Sequence, residues 1–408
     1  MTTIKDSVHD HIEVKGVAAA LLDTPPVQRL RRIKQLGTVH LVYPSANHTR
    51  FEHSLGVYHL ADRALDHLDI AGQRAERVRA AAILHDVGHC PYSHNVEGVV
   101  ERRTGKRHDD VDELLTEGRV AAVLADHDLD PDTIASLVAG EGELAQLVAG
   151  ELDVDRMDYL VRDAHHTGVP YGTIDHGRLV RELTFLDGDL VLAEGNVQTA
   201  ESLLLARALM NPTVYSHHVA RISKSMLRRA TERLLDTTEI SARELRRMDD
   251  NELAVALRTH EETADVGRRL AERDLFKRAV WAEMGDVDGD VVGAGHDDVR
   301  EFERDIAADA GVPDERVVLD VQGEPTMRES TTGVLVNGEV RSLDEQSTLV
   351  NALQVAQREQ WRLGVYAPAE HVEAVGQAAE RVLGLETDGA LVSEVNTPGR
   401  YASLEDFS

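Results

Sequence analysis

His85 and Asp86 are adjacent in the sequence and offer an imidazole nitrogen and a carboxylate oxygen, both good ligands for a divalent transition-metal ion. His-Asp occurs five times in the chain, so the dipeptide alone decides nothing. Here an apolar run at residues 80–84 precedes it and predicts a buried helix that ends near Gly88. We therefore expect this pair at the end of a stiff buried helix, as half of a metal site.

Two other segments offer the remaining ligands. His53 lies among apolar residues in a predicted helix. Further along the chain, Asp155, Tyr159 and Asp163 fall at positions i, i+4 and i+8 and share one helix face. Two imidazoles and two carboxylates suit Mn, Fe, Zn or Ni. The predicted metal ligands are His53, His85, Asp86 and Asp155.

The chain contains five motifs in the order TPPVQRLRRIKQLG at 24–37, RFEHSLGV at 50–57, ILHDVGHCPYSH at 83–94, DVDRMDYLVRDAHHTG at 153–168 and VYSHH at 214–218. Together they resemble the HD-domain metal-dependent phosphohydrolases, in particular their dNTP triphosphohydrolase branch and the catalytic core of its animal members. The resemblance implies a mainly α fold with an HD-domain helical core. It also implies metal-dependent hydrolysis of dNTPs to deoxynucleoside and inorganic triphosphate.

The resemblance assigns the proton chemistry to a second group of residues. His94 is then the candidate general acid at the leaving 5′ oxygen, while His89 and His108 line the phosphates. His94 and Glu97 stand at i and i+3, close enough on a helix for the carboxylate to orient the imidazole. From the sequence alone, GKRHDD around His108 is also typical of a polar turn.

Substrate contacts are implied at several further positions. Arg50, on the helix side of His53, would contact phosphate together with two other arginines. Asp163 lies two helical turns beyond Asp155, about 12 Å along the axis, and could accept a hydrogen bond from the 3′ hydroxyl. The predicted substrate-binding residues are Arg50, Gln35, Leu36, Arg156, Tyr159, Asp163, Arg207, Tyr215 and His218.

The sugar-side residues among these predict a preference for deoxynucleotides. The resemblance places Gln35 and Leu36 beside the sugar and Tyr215 against the deoxyribose, where no room remains for a 2′ hydroxyl. The family usually has lysine at the positions of Arg156 and His218.

The segment after Asp23 suggests regulation. In the animal members the residues matching Asp23, Gln28 and Arg31 hold a regulatory guanine nucleotide. By spacing alone, the basic residues of this predicted helix favour a solvated face. The resemblance further implies a homo-oligomer, either a dimer or a tetramer, and a Mg ion could arrive with the substrate phosphates.

Composition narrows the functional classes. The net charge of −29 argues against non-specific nucleic-acid binding, since a phosphate backbone would be repelled. Acidic residues number 73 against 44 basic ones, a balance typical of a halophile.

No apolar run is long enough to span a membrane, and the first residues do not resemble a signal peptide. With Cys90 as the single cysteine, a reducing cytoplasm is expected.

The pattern along the chain predicts four regions: an HD core at 1–240, a helical extension with an acidic Gly/Asp linker at 241–310, a small C-terminal α+β module at 311–384, and a tail at 385–408. Within the core, Asp187-Gly188 predicts a hairpin turn. The linker prediction rests on the Gly- and Asp-rich run GDVDGDVVGAGHDD at 285–298.

Two other functions stay open. The chain could be an HD hydrolase that acts on another nucleotide or phosphate ester, or a non-catalytic nucleotide sensor. The complete set of predicted ligands argues against the sensor.

Overall fold

The computed structural model describes residues 2–385. The predicted tail, apart from Leu385, therefore lies outside the described residues. Contacts divide the chain into two compact units. The first contains the residues up to Asp274 together with Thr326–Val355, and the second contains Leu275–Pro325 and the described residues from Ala356 onward. The predicted mainly α fold is confirmed. In the described part of the chain, no helix has the length and apolar character needed to cross a membrane.

The first unit opens with an antiparallel hairpin and continues almost entirely as helices. Its elements up to the metal-binding motifs are β1 (Thr2–Asp6), β2 (Asp10–Val14), α1 (Gly16–Leu22), α2 (Pro25–Arg29), α3 (Arg50–His67), α4 (Gly72–Leu84) and α5 (His94–Thr104). They continue with α6 (Asp112–Leu115), α7 (Gly118–Asp126), α8 (Pro131–Val138), α9 (Ala145–Val148), α10 (Val154–Thr167) and α11 (His176–Arg181).

Helix α3 is central to this unit because it packs against both α4 and α10. Its first turn is fixed by Thr49, whose backbone N–H donates to Glu52 at 2.6 Å. The Asp153 carboxylate accepts from the Arg156 N–H at 2.7 Å and so begins α10. Residues 80–84 of α4 are all buried, as the apolar run predicts. The three helices therefore bring the predicted ligands to one place.

A long helical stretch is interrupted at Asn211-Pro212. After the hairpin of β3 (Leu183–Leu186) and β4 (Asp189–Leu192), α12 (Val197–Met210) leads into a π-helical turn (Asn211–Tyr215) and then α13 (His218–Thr237). Pro212 lacks the N–H that a continuous helix needs. The rest of the helical part is α14 (Ala242–Arg247), α15 (Asp250–Thr259) and α16 (Ala264–Glu272).

The first unit also contains a strand pair that the sequence assigns to the C-terminal module. Residues 333–340 alternate in sequence as expected for one strand, but they belong to a hairpin of β7 (Gly333–Val336) and β8 (Glu339–Ser342), followed by α19 (Leu343–Gln346). It turns at Asn337-Gly338, where both residues have positive φ. Strand β7 pairs with β4 in parallel, giving the order β3-β4-β7-β8.

The second unit is a three-stranded antiparallel sheet with helices, and its strand order is β5 (Lys277–Glu283), β9 (Arg362–Ala367), β6 (Val318–Asp320). Its elements are β5 (Lys277–Glu283), α17 (Gly289–Val292), α18 (His296–Ala310), β6 (Val318–Asp320), β9 (Arg362–Ala367) and α21 (Val372–Leu383); α20 (Thr348–Glu359) spans the boundary. The indole N–H of Trp361 donates to the Gln322 carbonyl at 2.7 Å.

Two predictions about the secondary structure of this unit are wrong. Residues 277–283, predicted as helical, form β5, in which Val280 and Ala282 alternate with more exposed residues. The predicted linker at 285–298 contains α17 and the start of α18. Its acidic residues act as helix caps, as when Asp288 accepts from the Asp290 N–H at 3.0 Å. The division into four regions stays a prediction.

Candidate active site

The predicted metal ligands come together at the junction of α3, α4 and α10. His53 Nε2 lies 2.8 Å from Asp155 Oδ1 and 3.3 Å from His85 Nε2. Ligand atoms of His53, His85 and Asp86 all lie within 4.8 Å of one another. A cluster of two imidazoles and two carboxylates at this spacing has the donor set of a transition-metal site.

His53 and His85 both present Nε2 to the centre of the cluster, because Nδ1 of each ring is already hydrogen-bonded to another group. His85 Nδ1 donates to the Ala82 carbonyl at 2.9 Å, and His53 Nδ1 donates to Asp158 Oδ2 at 2.8 Å. Such outer partners orient imidazoles that bind metals. Two Nε2 atoms facing each other at 3.3 Å are better satisfied by a shared cation than by each other. The residues therefore fit a divalent ion.

Charge at His53 depends on its carboxylate neighbours. Burial opposes a charged imidazole, but the hydrogen bonds to Asp155 and Asp158 outweigh it and raise the pKa of His53 to about 10. Without a metal, this side chain holds a proton that an incoming ion must displace.

Asp158 belongs to a buried ionic network. It accepts from His9 Nε2 at 2.6 Å and from Arg162 Nε at 2.8 Å, and Arg162 Nη1 also reaches Asp6 at 2.9 Å. Although burial would raise it, the pKa of Asp158 is held well below its usual range by Arg162 and the two histidines. Gly56 of α3 makes room, since a Cβ atom there would lie 1.8 Å from Asp158 Oδ1.

Asp86 is paired with the predicted phosphate ligand Arg50. Arg50 Nη1 donates to both oxygens of Asp86, at 3.0 and 3.1 Å, and Nε donates to Ser93 at 2.9 Å. None of these bonds uses Nη2. Burial would raise the pKa of Asp86, but Arg50, His85 and His89 hold it well below the usual range. Asp86 is therefore a carboxylate ready to bind a cation.

A second cluster contains the residues assigned to proton chemistry. Glu97 accepts from Nδ1 of His94 at 2.7 Å and from Nδ1 of His108, and the His89 ring stacks on His108 with centroids 4.4 Å apart. His89 also reaches the metal ligands, with Nε2 3.2 Å from Asp86 Oδ1. The structure thus places His108 against Glu97 and His89, and its role in catalysis stays a prediction.

The carboxylate sets the protonation of this cluster. Burial would raise the pKa of Glu97, but the hydrogen bonds from His108 and His94 hold it well below the usual range. Burial would lower the pKa of His108, but Glu97 raises it. The pKa of His94 is lowered by desolvation of the ring, although the side chain is partly exposed, and by the charges of Arg50 and His108, against the opposing effect of Glu97.

Among the residues predicted to contact the sugar, Asp163 is 1% exposed and accepts two hydrogen bonds, from His48 Nε2 at 2.7 Å and from the Tyr215 hydroxyl at 2.9 Å. The rings of Tyr159 and Tyr215 meet edge to face, with centroids 6.3 Å apart. Gln35 is buried, and its Oε1 has no hydrogen-bond partner among the described residues. A buried acceptor of this kind can be satisfied by a water molecule or by a bound ligand that donates.

The remaining predicted substrate residues are less closely tied to this group. Arg156 Nη1 donates to the carbonyls of Gly150 and Glu151, at 2.7 and 2.5 Å. Arg207 is half-buried, and its charge acts on Tyr159. His218 stacks on His217, with centroids 4.5 Å apart, and Leu36 is half-buried. Their substrate roles stay predictions.

The predicted regulatory residues lie at the surface. Gln28 donates to the Leu22 carbonyl at 2.7 Å and accepts from Arg31 Nε at 2.9 Å, while the Arg31 guanidinium lies 3.6 Å from the Phe51 ring centroid. Asp23 is exposed at the end of α1. The predicted solvated face is wrong for Arg29, whose guanidinium is bound to backbone carbonyls.

Two family models match the chain. The HD domain model matches residues 50–163, and the HD associated region model matches residues 174–394. The chain belongs to the SAMHD1-like HD-domain phosphohydrolases.

Relatives of this HD phosphohydrolase span archaea, bacteria and eukaryotes. A protein of Methanocaldococcus jannaschii is 31% identical over 381 residues, covering 91% of this chain and 80% of that protein. The deoxynucleoside triphosphate triphosphohydrolase SAMHD1 homolog of Dictyostelium discoideum is 32% identical over 250 residues, 55% of this chain and 48% of that protein. The chain thus spans about half the length of that triphosphohydrolase.

A solved structure matches a larger part of the chain than the triphosphohydrolase does. The crystal structure of a phosphohydrolase from Bacteroides thetaiotaomicron matches with a TM-score of 0.72 and 26% identity, over 90% of this chain and 100% of that one. The HD phosphohydrolase fold therefore extends over nearly the whole chain.

Sequence reasoning missed several residues of this HD phosphohydrolase site, namely Asp6, His9, His48, Asp158 and Arg162. One local signal was available. Asp158 and Arg162 stand at i and i+4 in α10, between buried positions such as Met157 and Leu160, so their pairing could have been inferred. The partners Asp6 and His9 come from the distant β1–β2 hairpin, and nothing in the local sequence links them to α10.

Proposed function

We propose that this HD phosphohydrolase hydrolyses deoxynucleoside triphosphates to deoxynucleoside and inorganic triphosphate. The observation that carries the proposal is the convergence of His53, His85, Asp86 and Asp155 beside the His94–Glu97–His108 cluster. A Mn, Fe, Zn or Ni ion would be held by those four residues. Triphosphohydrolases among the relatives support the choice of substrate.

The bound ion would supply an activated water by lowering its pKa from about 16 toward about 7. Arg50, Arg156 and Arg207 would neutralise the phosphates, and Mg could accompany them. The new bond joins the water oxygen to the α-phosphorus, and the bond from that phosphorus to the 5′ oxygen breaks. His94 would donate its proton to the leaving 5′ oxygen. Since the surroundings of His94 lower its pKa, the negative charge of nearby substrate phosphates would be needed to favour its protonated form.

Recognition of the sugar would involve the pocket around Asp163. Tyr215 and Leu36 would exclude a 2′ hydroxyl, and Asp163 would accept from the 3′ hydroxyl beside its bonds to Tyr215 and His48. The buried Gln35 Oε1 offers a further acceptor. A pocket that fits only the deoxy sugar would leave a 2′ hydroxyl without partners.

The proposal also includes a regulatory nucleotide and a homo-oligomeric assembly. A guanine nucleotide would bind at Asp23, Gln28 and Arg31, and the protein would act as a homo-oligomer in a reducing, salt-rich cytoplasm. These statements rest on the resemblance in sequence and on composition.

Product analysis tests the proposed activity. The metal-loaded protein is incubated at high salt with each of the four dNTPs and four NTPs, with and without a second guanine nucleotide, and products are separated by ion-exchange chromatography. We expect inorganic triphosphate and deoxynucleoside from dNTPs. Orthophosphate or a monophosphate as the first product would favour another phosphohydrolase activity, and no product with any nucleotide would favour a sensor.

A further inference from the structure

A cavity of about 280 Å³ lies beside the turn that follows the His85-Asp86 pair. Val87 and Gly88 form part of its wall, and α2 contributes Pro25 and Pro26. The residues predicted to bind a regulatory nucleotide, Asp23, Gln28 and Arg31, do not line it. The charged residues that line it are Arg29, Lys106, Glu113, Arg243, Arg246 and Arg247.

The charge of this cavity is opposite to that of the whole chain. Five of its lining side chains are basic and one is acidic, whereas the chain has a net charge of −29. Only part of this positive charge is compensated, since Arg243 pairs with Glu113 at 3.2 Å and Lys106 pairs with Asp112 at 3.0 Å. A concave positive surface of this kind attracts anions.

Two of these arginines, Arg29 and Arg246, are bound to backbone carbonyls. Arg29 donates to the carbonyls of His89 and Arg246, each at 2.8 Å, and burial lowers its pKa to about 10. Arg246 is 9% exposed and donates through Nη2 to the carbonyls of Arg107 and Asp110, at 2.7 and 2.6 Å. Its Nε has no hydrogen-bond partner among the described residues. A buried donor without a partner indicates a missing acceptor.

We propose that this cavity binds a small polyphosphate anion. Planar guanidinium groups match phosphate oxygens, and several of them around one cavity suit a ligand with more than one negative group. The apolar wall of Pro25, Pro26 and Leu114 leaves room for an organic group beside the phosphates. Inorganic triphosphate and a nucleoside triphosphate share this chemistry.

A ligand in the cavity would contact the segment that carries the predicted metal ligands. Val87 and Gly88 directly follow Asp86, and a Cβ atom at Gly88 would lie 2.1 Å from the His108 carbonyl and 3.1 Å from Arg246 Nη2. Arg29 connects the same segment to the end of α14 through the carbonyls of His89 and Met248. The proposed anion therefore binds next to the catalytic segment.

Amine acylation tests the site without any need for catalysis. Lys106 lines the cavity, while Lys5 and Lys15 have side chains 66% and 44% exposed and serve as internal controls. The full-length, metal-loaded protein is acylated with and without inorganic triphosphate or a non-hydrolysable dGTP analogue, and each lysine is quantified by mass spectrometry. At ligand ten times its Kd, we expect acylation of Lys106 to slow about tenfold, with Lys5 and Lys15 unchanged.

A matched pair of charge reversals separates this cavity from the active site. Arg247 is exposed, lines the cavity and makes no ion pair in the described part of the chain; Arg119 is an exposed arginine on α7, away from the cavity lining. We expect Arg247→Glu to weaken protection of Lys106 by about tenfold or more in Kd, and Arg119→Glu to leave it unchanged. Stronger protection by the analogue than by inorganic triphosphate would support a nucleotide as the ligand; equal protection would support recognition of the phosphates alone.

Two results would overturn the proposal. One is that neither probe protects Lys106 in the wild-type protein. The other is that Arg119→Glu and Arg247→Glu change the protection equally, which would mean that only net charge is sensed. Neither result depends on hydrolysis, so the proposed function is tested separately.

Discussion

Two histidine–carboxylate clusters lie side by side in the first unit, and they use the imidazole ring in different ways. Around His53, buried partners hold Nδ1 of the ring and leave Nε2 facing His85 and Asp155. Around Glu97, a single carboxylate binds Nδ1 of both His94 and His108, and the His94 side chain is 53% exposed. The first cluster combines two imidazoles with two carboxylates, whereas in the second one carboxylate is shared by two imidazoles and affects the pKa of both.

Asp86→Ala removes a ligand from the first cluster and should have the largest effect. We expect loss of the bound transition metal and of measurable turnover, while the helical fold remains, because a core of this size does not depend on one ion. Metal content by mass spectrometry, turnover and circular dichroism measure the three quantities.

The control for this change is Asp66→Ala, which removes an exposed carboxylate from α3. Full metal occupancy in Asp86→Ala, with Asp66→Ala also fully occupied, would contradict the assignment of Asp86 as a ligand.

Gly56→Ala tests the support behind the first cluster. The added Cβ would lie 1.8 Å from Asp158 Oδ1, so Asp158 must move away from His53. We expect metal affinity to fall about 10- to 100-fold, as for other changes to the partners of ligand histidines. Overpacking should also lower the free energy of unfolding by about 1–3 kcal/mol.

Gly98→Ala on α5 is the matched control, because its added Cβ would have no neighbour nearer than Arg102 at 3.5 Å. There we expect unchanged metal affinity and a gain of about 0.5–1 kcal/mol in stability, measured by urea unfolding. Equal metal affinity in both variants would show that the position of Asp158 is unimportant.

Tyr215→Ala tests the proposed sugar selection. In the wild type we expect dGTP to be hydrolysed about 10- to 100-fold faster than GTP, since excluding a 2′ hydroxyl costs roughly 1–3 kcal/mol. The ratio of kcat/KM values should fall toward one in Tyr215→Ala. Tyr215→Phe, which loses only the bond to Asp163, should keep most of the preference.

Tyr171→Ala, at a tyrosine that is 48% exposed, is the control for this series. Equal rates for dGTP and GTP in the wild type would refute the sugar selection.

Glu97→Gln tests the charge balance of the second cluster. The depressed pKa of Glu97 contributes stability above pH about 4.5 that is lost as the pH falls. The raised pKa of His108 contributes stability below pH about 6.5 that is lost as the pH rises through its folded value. The variant should therefore lose about 1–3 kcal/mol, most between these two values.

Chemical unfolding from pH 4 to 9 measures this loss, and Glu101→Gln on the exposed side of α5 is the control. A loss that is the same at every pH, or equal in both variants, would contradict the ionic role of Glu97.

The clustering of the proposed ligands could be predicted from sequence because each lies in a local helical motif. His53, His85 and Asp155 stand in segments whose apolar periodicity gives both the helix and its buried face. The contact of Glu97 with His94 follows from the i, i+3 spacing in the same way.

What could not be predicted depends on contacts between distant segments. Asp158 remains charged in the core because Arg162 and His9 bind it and Gly56 leaves space for it. Of these contacts, only the one with Arg162, in the same helix, is local in sequence. Arg29 has the same spacing as its solvated neighbour Arg31, yet it is bound by carbonyls more than 200 residues away, such as that of Met248. Helical periodicity cannot distinguish a solvated arginine from one bound to a distant backbone.

The most direct test of the central claim follows the water oxygen. The metal-loaded protein hydrolyses dGTP in water enriched in oxygen-18, and the products are analysed by mass spectrometry, with chelator-treated protein and Asp86→Ala as controls. Attack at the α-phosphorus predicts one labelled oxygen in inorganic triphosphate, none in deoxyguanosine, and no labelled product in either control. Label in orthophosphate, or labelled triphosphate from the Asp86→Ala protein, would contradict the account.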